Sequence, residues 1–361
     1  MTPAAEPRAR DLGIPFAFGT PGRWNAITDV PGVAVGHVTL IEGDSVRTGV
    51  TAVLPRGTGE EARQPCFGAI FSLNGDGEMT GSHRTEEFGL VDGPVMITNT
   101  NSVGVVRDAV SRYAARRWPP TRLWTVWSIP VVAETWDGPM NDIYGFHVST
   151  EHAFQAIDRA ASGPVAEGSV GGGTGMDAYD FKAGIGTASR VLTKEQGGYT
   201  VGVLVQANHG LRHQLLIAGI PVGMELPAEN PKPQDSGSII IVVATDAPLL
   251  PHQTKRLARR ASLGLARTGS VSGNTSGDLF VAFSTANPRA GNSGGVVPVD
   301  MLTNDQMGPL FEATVGATEE AIINALVAGR TMTGHNGTKV VGLPHDKVQA
   351  ILKRHGVLKT P

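Results

Sequence analysis

Short apolar runs rich in β-branched residues recur along the chain, separated by Gly, Pro, Asn and Asp. Residues 48–54, 68–73, 95–98, 125–132, 199–207, 238–244 and 280–284 have the length and content of strands. Residues 26–40, AITDVPGVAVGHVTL, read as short strands broken at Pro31-Gly32. Helical spacing takes over at 103–117, with Ser102 as its N-cap, and again at 151–161. Residues 250–267 are strongly helical with Arg and Lys on the outer face. Residues 311–327 read as an amphipathic helix, and the basic tail is helical from 347 until Gly356. Residues 1–24 read as an extended, Pro/Gly-rich lead-in. No tandem repeat or linker divides the chain, so one domain over 1–361 is expected, with sheets layered between helices.

One stretch stands apart, Gly273-Asn274-Thr275-Ser276-Gly277-Asp278, which leads straight into the apolar run 279–283. Gly and Asn accept backbone angles that other residues avoid, so the segment can hold a strained peptide beside a serine hydroxyl. That is the chemistry of an N→O acyl shift. Cleavage between Thr275 and Ser276 would leave Ser276 with a hydroxyl nucleophile and its own α-amine as general base. On residue types alone, a Gly/Ser turn before a core strand is the commoner meaning.

Composition narrows the classes. Among 361 residues, 47 are Gly, nearly twice the roughly 7% average, which implies many tight turns and close backbone approaches. A net charge of −3 leaves no basic footprint for nucleic acid. Cys66 is the only cysteine, so no intrachain disulfide forms and a reducing compartment suits the chain. The first residues lack an apolar signal core, and no run approaches the length of a membrane span. A cytoplasmic, membrane-free protein is expected. The ten histidines are scattered; His209 and His213 lie four apart without a Glu between them, so no metal is expected. The loop GSVGGGTG (168–175) lacks the Lys-Ser/Thr of a phosphate loop and reads better as a packing or site-wall element.

Three further positions have chemical potential. Asn208 follows the strand 199–207, where its amide could donate to a developing oxyanion, although a turn Asn is the plainer meaning. Glu134, beside Trp136, combines a carboxylate with an aromatic face, a pairing that suits an ammonium group. The alternative is an exposed loop carboxylate. Glu319 and Glu320 lie on the helix 311–327, where one must sit nearer the apolar stripe than the other. A half-buried Glu there could activate a nucleophile, and a solvated face competes, above all for Glu320.

The chain resembles the DmpA-type aminopeptidases, the family of L-aminopeptidase/D-esterases and β-peptidyl aminopeptidases. The likeness is carried, in order, by ITDVPGVAVGHVTL, RTGVTAVLP, NGDGEMTG, ITNTNSVGVV, ETWDGPMNDIYGFHV, GSVGGGTGM, FKAGIGTASR, VGVLVQANHG, GNTSGDLFVAFSTAN and ATEEAIINAL, spanning about residues 26–327. The resemblance implies a four-layer α/β/β/α sandwich, similar to N-terminal-nucleophile hydrolases but with different connectivity. It implies self-cleavage into 1–275 and 276–361, with Ser276 as nucleophile and Asn208 in the oxyanion hole. Glu134 would receive the substrate amine beside Trp136, and Glu319 matches the family's helix Glu. Some members carry Tyr at Trp136 and Ser at Ala317, so a phenolic oxyanion donor and a Ser–Glu relay are missing from this sequence. The implied substrates are short peptides, amides or esters, the implied assembly is a homo-oligomer, commonly a tetramer, and no cofactor is implied. Two alternatives remain: an ornithine-acetyltransferase type of acyltransferase using Thr275, and an unprocessed binding protein of the same fold.

Overall fold

The computed structural model describes residues 7–118, 127–228, 237–291 and 295–358. In chain order the strands are β1 (Ala34–Glu42), β2 (Val46–Leu54), β3 (Cys66–Gly75), β4 (Leu90–Val91), β5 (Val95–Asn99), β6 (Val131–Thr135), β7 (Asp177–Ala178), β8 (Phe181–Lys182), β9 (Ile185–Val191), β10 (Thr200–Asn208), β11 (Ser238–Thr245), β12 (Gly277–Ser284), β13 (Met332–Thr333) and β14 (Lys339–Val340). The helices are α1 (Ser82–Phe88), α2 (Val103–Arg117), α3 (Thr150–Asp158), α4 (Val222–Glu225), α5 (Pro251–Arg267), α6 (Gly308–Val327) and α7 (His345–Arg354).

Two sheets form the middle of the molecule. One has the order β4-β3-β12-β11-β10-β9, with β11 and β12 parallel; the other has the order β1-β2-β5-β6, with β5 and β6 parallel. The reason they stack is visible in β11. Ile239, Ile241 and Val243 face one core, whereas Ile240, Val242 and Ala244 face another. Because successive side chains point to opposite faces, an unbroken apolar run is buried on both sides. In β12, Phe280 and Ala282 take the first side and Leu279, Val281 and Phe283 the second. The first core holds α5 and α6; the second lies between the sheets and includes Val53, Ile97 and Ala133 from the smaller one. A third core packs α2 and α3 on that smaller sheet's outer face. The result is the four-layer α/β/β/α sandwich. Each fully buried Phe or Ile in these layers is worth roughly 1.5–3 kcal/mol of transfer free energy.

Several sequence expectations shift. Of the strand expected at 125–132, residues 125 and 126 lie outside the described residues, and 127–130 is not strand. Pro130 has no N–H for a ladder, and Trp127, at φ +57°, turns its indole inward to donate to Ala62 O at 2.9 Å. The strand therefore runs from Val131 to Thr135, placing Glu134 inside it. Residues 26–40 contribute one strand, since 27–29 forms a 3₁₀ turn before Pro31. Ser102 stands at the N-cap of α2, but its side chain makes no capping bond; Asn99 Oδ1 accepts from Ser102 N–H instead.

α6 is amphipathic only in its first two turns, where Leu310, Ala313 and Thr314 are buried and Glu312 is exposed. From Gly316 to Val327 every residue is buried, because α5, β9, β10 and the N-terminal arm enclose it. That arm is anchored as well as extended: Arg8 pairs with Glu167 and Arg10 with Glu320, while Ala9 and Ile14 are buried. The glycine loop does pack. A Cβ at Gly172 would stand 2.3 Å from Gln206 Oε1, and one at Gly173 2.5 Å from Ile185 N. Among the described residues, no helix is long and apolar enough to cross a membrane.

Candidate active site

The head of β12 is where the sheets' chemistry converges. Ser276 directly precedes Gly277, whose N–H donates to Ser238 Oγ at 2.9 Å. Ser238 is in register with Asn208 at the end of β10, so the nucleophile candidate and the amide candidate flank one residue of β11. From the other sheet, β6 brings Glu134. Gly77 lies between the two: a Cβ there would be 3.1 Å from both Glu134 Oε1 and Gly277 Cα. Gly77 and Gly277 allow this contact, since a Cβ on Gly277 would meet Asp76 O at 2.6 Å.

Ser276 is buried, and its Oγ donates to Asp278 Oδ1 at 2.6 Å. Its N–H closes a turn on Gly273 O at 3.0 Å, and Asn74 Nδ2 reaches the same carbonyl at 2.5 Å. Thr275 occupies that turn. The positive φ in this run falls on Ser272, at +55°, rather than on Gly273 or Asn274. Asp278, in contact with the candidate nucleophile, was not singled out by residue types, because Gly-Asp before a strand reads as turn chemistry. The signal was available in the alternation itself, which puts residues 276 and 278 on one side.

Asn208 is the last residue of β10 rather than a turn residue, and it is buried. Its Oδ1 accepts from Asp177 N–H at 3.0 Å, and its Nδ2 donates to Trp136 O at 3.0 Å. An amide has two N–H donors, and among the described residues one of them has a partner, the Trp136 carbonyl. Behind it, the ammonium of buried Lys182 donates to Met176 O at 2.6 Å and Ala183 O at 3.0 Å, holding the β7–β8 hairpin. Burial pulls that ammonium down to about 7. Trp136 is 44% exposed, and its ring lies over Gly138.

Glu134 is buried, which removes the exposed-loop reading. Its Oε1 accepts from Glu78 N–H at 2.9 Å, and its Oε2 from the Thr100 hydroxyl. Among the described residues no Lys, Arg or His pairs with it. Burial pushes its carboxyl above the usual range; the two hydrogen bonds oppose that, and the charges of Glu78 and Asp76 add to it. A carboxylate in this setting lacks only a cation.

The helix glutamates have other partners. Glu319 is bonded to Arg267 at 2.5 Å across the α5–α6 seam, and none of its described hydrogen bonds goes to Ser276. Glu320 is fully buried, with Arg10, Arg190 and Asn25 around it. Ala317, at the position of the expected relay serine, is part of the apolar core. Among the described residues, no group of three or more His, Cys, Asp or Glu is placed to hold a metal ion.

The model of peptidase family S58 matches residues 25–340. The β-peptidyl aminopeptidase BapA of Sphingosinicella microcystinivorans is 54% identical, over 98% of this chain and 93% of that protein. The solved β-aminopeptidase of a Burkholderia species superposes with a TM-score of 0.91 at 50% identity, covering 98% of this chain and all of that one. The L-aminopeptidase D-Ala-esterase/amidase of Ochrobactrum anthropi superposes at 0.90 with 46% identity, over 98% and 100% of the two chains. That enzyme is described as a prototype of the serine aminopeptidases and a variant of the Ntn hydrolase fold, and this chain has the same architecture.

Proposed function

The chain belongs to peptidase family S58, and from that premise we propose that it is a self-processing aminopeptidase that removes N-terminal residues from short peptides, amides or esters. The carrying observation is its likeness, over nearly its whole length, to proteins named β-peptidyl aminopeptidases. The convergence of Ser276, Asn208 and Glu134 around Gly77, Gly277 and Ser238 supports it.

The chain cuts itself between Thr275 and Ser276, giving 1–275 and 276–361, which stay folded together. Ser276 Oγ then attacks the substrate carbonyl while its α-amine, with an unperturbed pKa of about 7.7–8.0, takes the proton. The second N–H of Asn208 holds the oxyanion, and the amine protonates the leaving group. Water releases the acyl-enzyme by the same steps. Glu134 takes the substrate's ammonium, and the ring of the exposed Trp136 flanks it. Glu319 acts through Arg267, fixing α6 against α5 beside the loop that carries Ser276. The substrates are small peptides or amides and the working form is a homotetramer; the exposed Tyr144 and Phe146 on the loop after β6 offer apolar surface for such an assembly.

The test is a denaturing gel with N-terminal sequencing, paired with hydrolysis of aminoacyl amides. Wild type should yield a small fragment beginning Ser-Gly-Asp-Leu-Phe and should turn over free-amine substrates. Ser276→Ala should stay whole and inactive. A Ser276→Ala chain that is both cut and active would end this reading.

A further inference from the structure

Until the bond between Thr275 and Ser276 breaks, the Ser276 nitrogen is an amide and cannot accept a proton. The α-amine that serves as base in turnover therefore does not exist for the first cut. The proton on Ser276 Oγ needs another acceptor, and the structure holds one in hydrogen-bond contact. We propose that Asp278 is the general base of self-cleavage, an inference that rests on the reading of Ser276 as the self-cleaving nucleophile.

The geometry is local and built. Residues 276 and 278 share one side of the chain as it enters β12, and Ser276 Oγ donates to Asp278 Oδ1 at 2.6 Å. The same oxygen accepts from Ile239 N–H at 3.2 Å, and Oδ2 is held by the Ser272 hydroxyl. Ser272 is in turn fixed by its left-handed backbone and by its N–H on Ser270 Oγ at 3.2 Å. Asp278 is fully buried. These contacts hold the Asp278 carboxyl in place against Ser276 Oγ. The register irregularity between Asp278 and Leu279 opposite β3 marks the place where the regular ladder gives way to this arrangement.

The steps balance without any further reagent than water. As the Ser276 Oγ–C bond forms at the Thr275 carbonyl, the hydroxyl proton passes to Asp278 Oδ1. The tetrahedral intermediate collapses by breaking the C–N bond, and Asp278 returns the proton to the departing nitrogen, which becomes the α-amine of Ser276. Thr275 is then an ester on Oγ; water hydrolyses it to the Thr275 carboxylate and restores the hydroxyl. From that point the new amine is the base.

Asp278→Asn keeps the shape and an acceptor but removes the basicity. General-base catalysis contributes about 10²–10⁴-fold, so the folded Asn variant should be cut at least about 100-fold more slowly than wild type on a time-resolved denaturing gel. Its circular dichroism and Tm should be unchanged. Cutting of Asp278→Asn at the wild-type rate would overturn the assignment. Should the Asn chain fail to fold, Asp278→Glu and Asp278→Gln decide, since both lengthen the side chain equally and only Glu is a base. Faster cleavage in the Glu chain supports Asp278; equal behaviour in both, cut or uncut, overturns it. A wild-type chain that stays whole, or a Ser276→Ala chain that is cut, would instead remove the self-cleavage reading beneath it.

Discussion

Glu320, on α6, has Arg10 Nε at 2.7 Å, Arg190 at 2.8 Å and the Asn25 amide at 2.6 Å. Glu134, on β6 in the other sheet, is as thoroughly removed from solvent but has a hydroxyl, a backbone N–H and two acidic neighbours. Burial raises the carboxyl pKa in both. Around Glu320 the guanidiniums outweigh it and hold the group below its ordinary value; around Glu134 nothing does. The difference separates two uses of a buried charge. A carboxylate whose counter-charges are supplied by the chain itself belongs to the fold, here fastening the N-terminal arm and β9 to α6. A carboxylate left without one has room for a cation brought by a ligand, and perturbed groups of this kind gather at functional sites.

The largest break in that comparison is Glu320→Gln. It leaves Arg190, itself fully buried, without its ion-pair partner, and losing one member of a buried pair costs about 3–5 kcal/mol. Urea unfolding at neutral pH should show a loss of that order. A loss under about 1 kcal/mol would mean that the cluster is relaxed by water and is not a fold-holding pair.

A smaller effect is expected in kinetics from Glu134→Gln. Removing a charge-assisted hydrogen bond costs on the order of 1.5–3 kcal/mol, so kcat/KM for free-amine substrates should fall about ten- to hundred-fold. N-acetylated substrates, which carry no charge for Glu134 to meet, should be poor for wild type and change little in the variant. The cut before Ser276 should proceed normally, since it involves no substrate ammonium. Equal wild-type turnover of acetylated and free-amine substrates would dissociate Glu134 from amine recognition.

The two glutamates also mark how far residue patterns reach. The strands 199–207 and 238–244 were legible because β-branched runs buried on both faces leave little else to become. Glu134 stood out in the sequence but was misplaced as structure, since the apolar run before it holds Trp127 in an irregular turn and Pro130 at the strand's threshold. The burial of Glu320 was hidden because its partners come from Arg10 and Arg190, 310 and 130 residues away in sequence, and from an arm that reads as a loose lead-in. Spacing on one helix cannot report what another segment lays over it. Asp278 was missed for the opposite reason: its partners are close in sequence, and a short Gly/Ser/Asp run has too many meanings to choose among.

The smallest expected effect is the change of Glu134→Gln stability with pH, and read beside Glu320→Gln it tests the comparison from both ends. Glu134 has a folded-state pKa above its ordinary value of 4.5, so the native state holds that proton more tightly than the unfolded chain. Its contribution is therefore fully favourable below 4.5 and is lost as pH rises through the raised pKa. Glu320 has the reverse sign: its folded-state value is lowered, so its contribution is present above 4.5 and is lost as pH falls through the depressed value. Glu134→Gln should accordingly raise Tm at pH 7.5, and the increment should shrink towards zero as pH approaches 4.5. Glu320→Gln should lower Tm at pH 7.5, and its deficit should persist to pH 4.5 and narrow only below it. Scanning calorimetry of the two variants and wild type across that range reads both slopes in one experiment. If Glu134→Gln were less stable than wild type at pH 7.5, the carboxylate would already have its counter-charge within the protein, and the contrast between a charge kept for the fold and one kept for a ligand would fail.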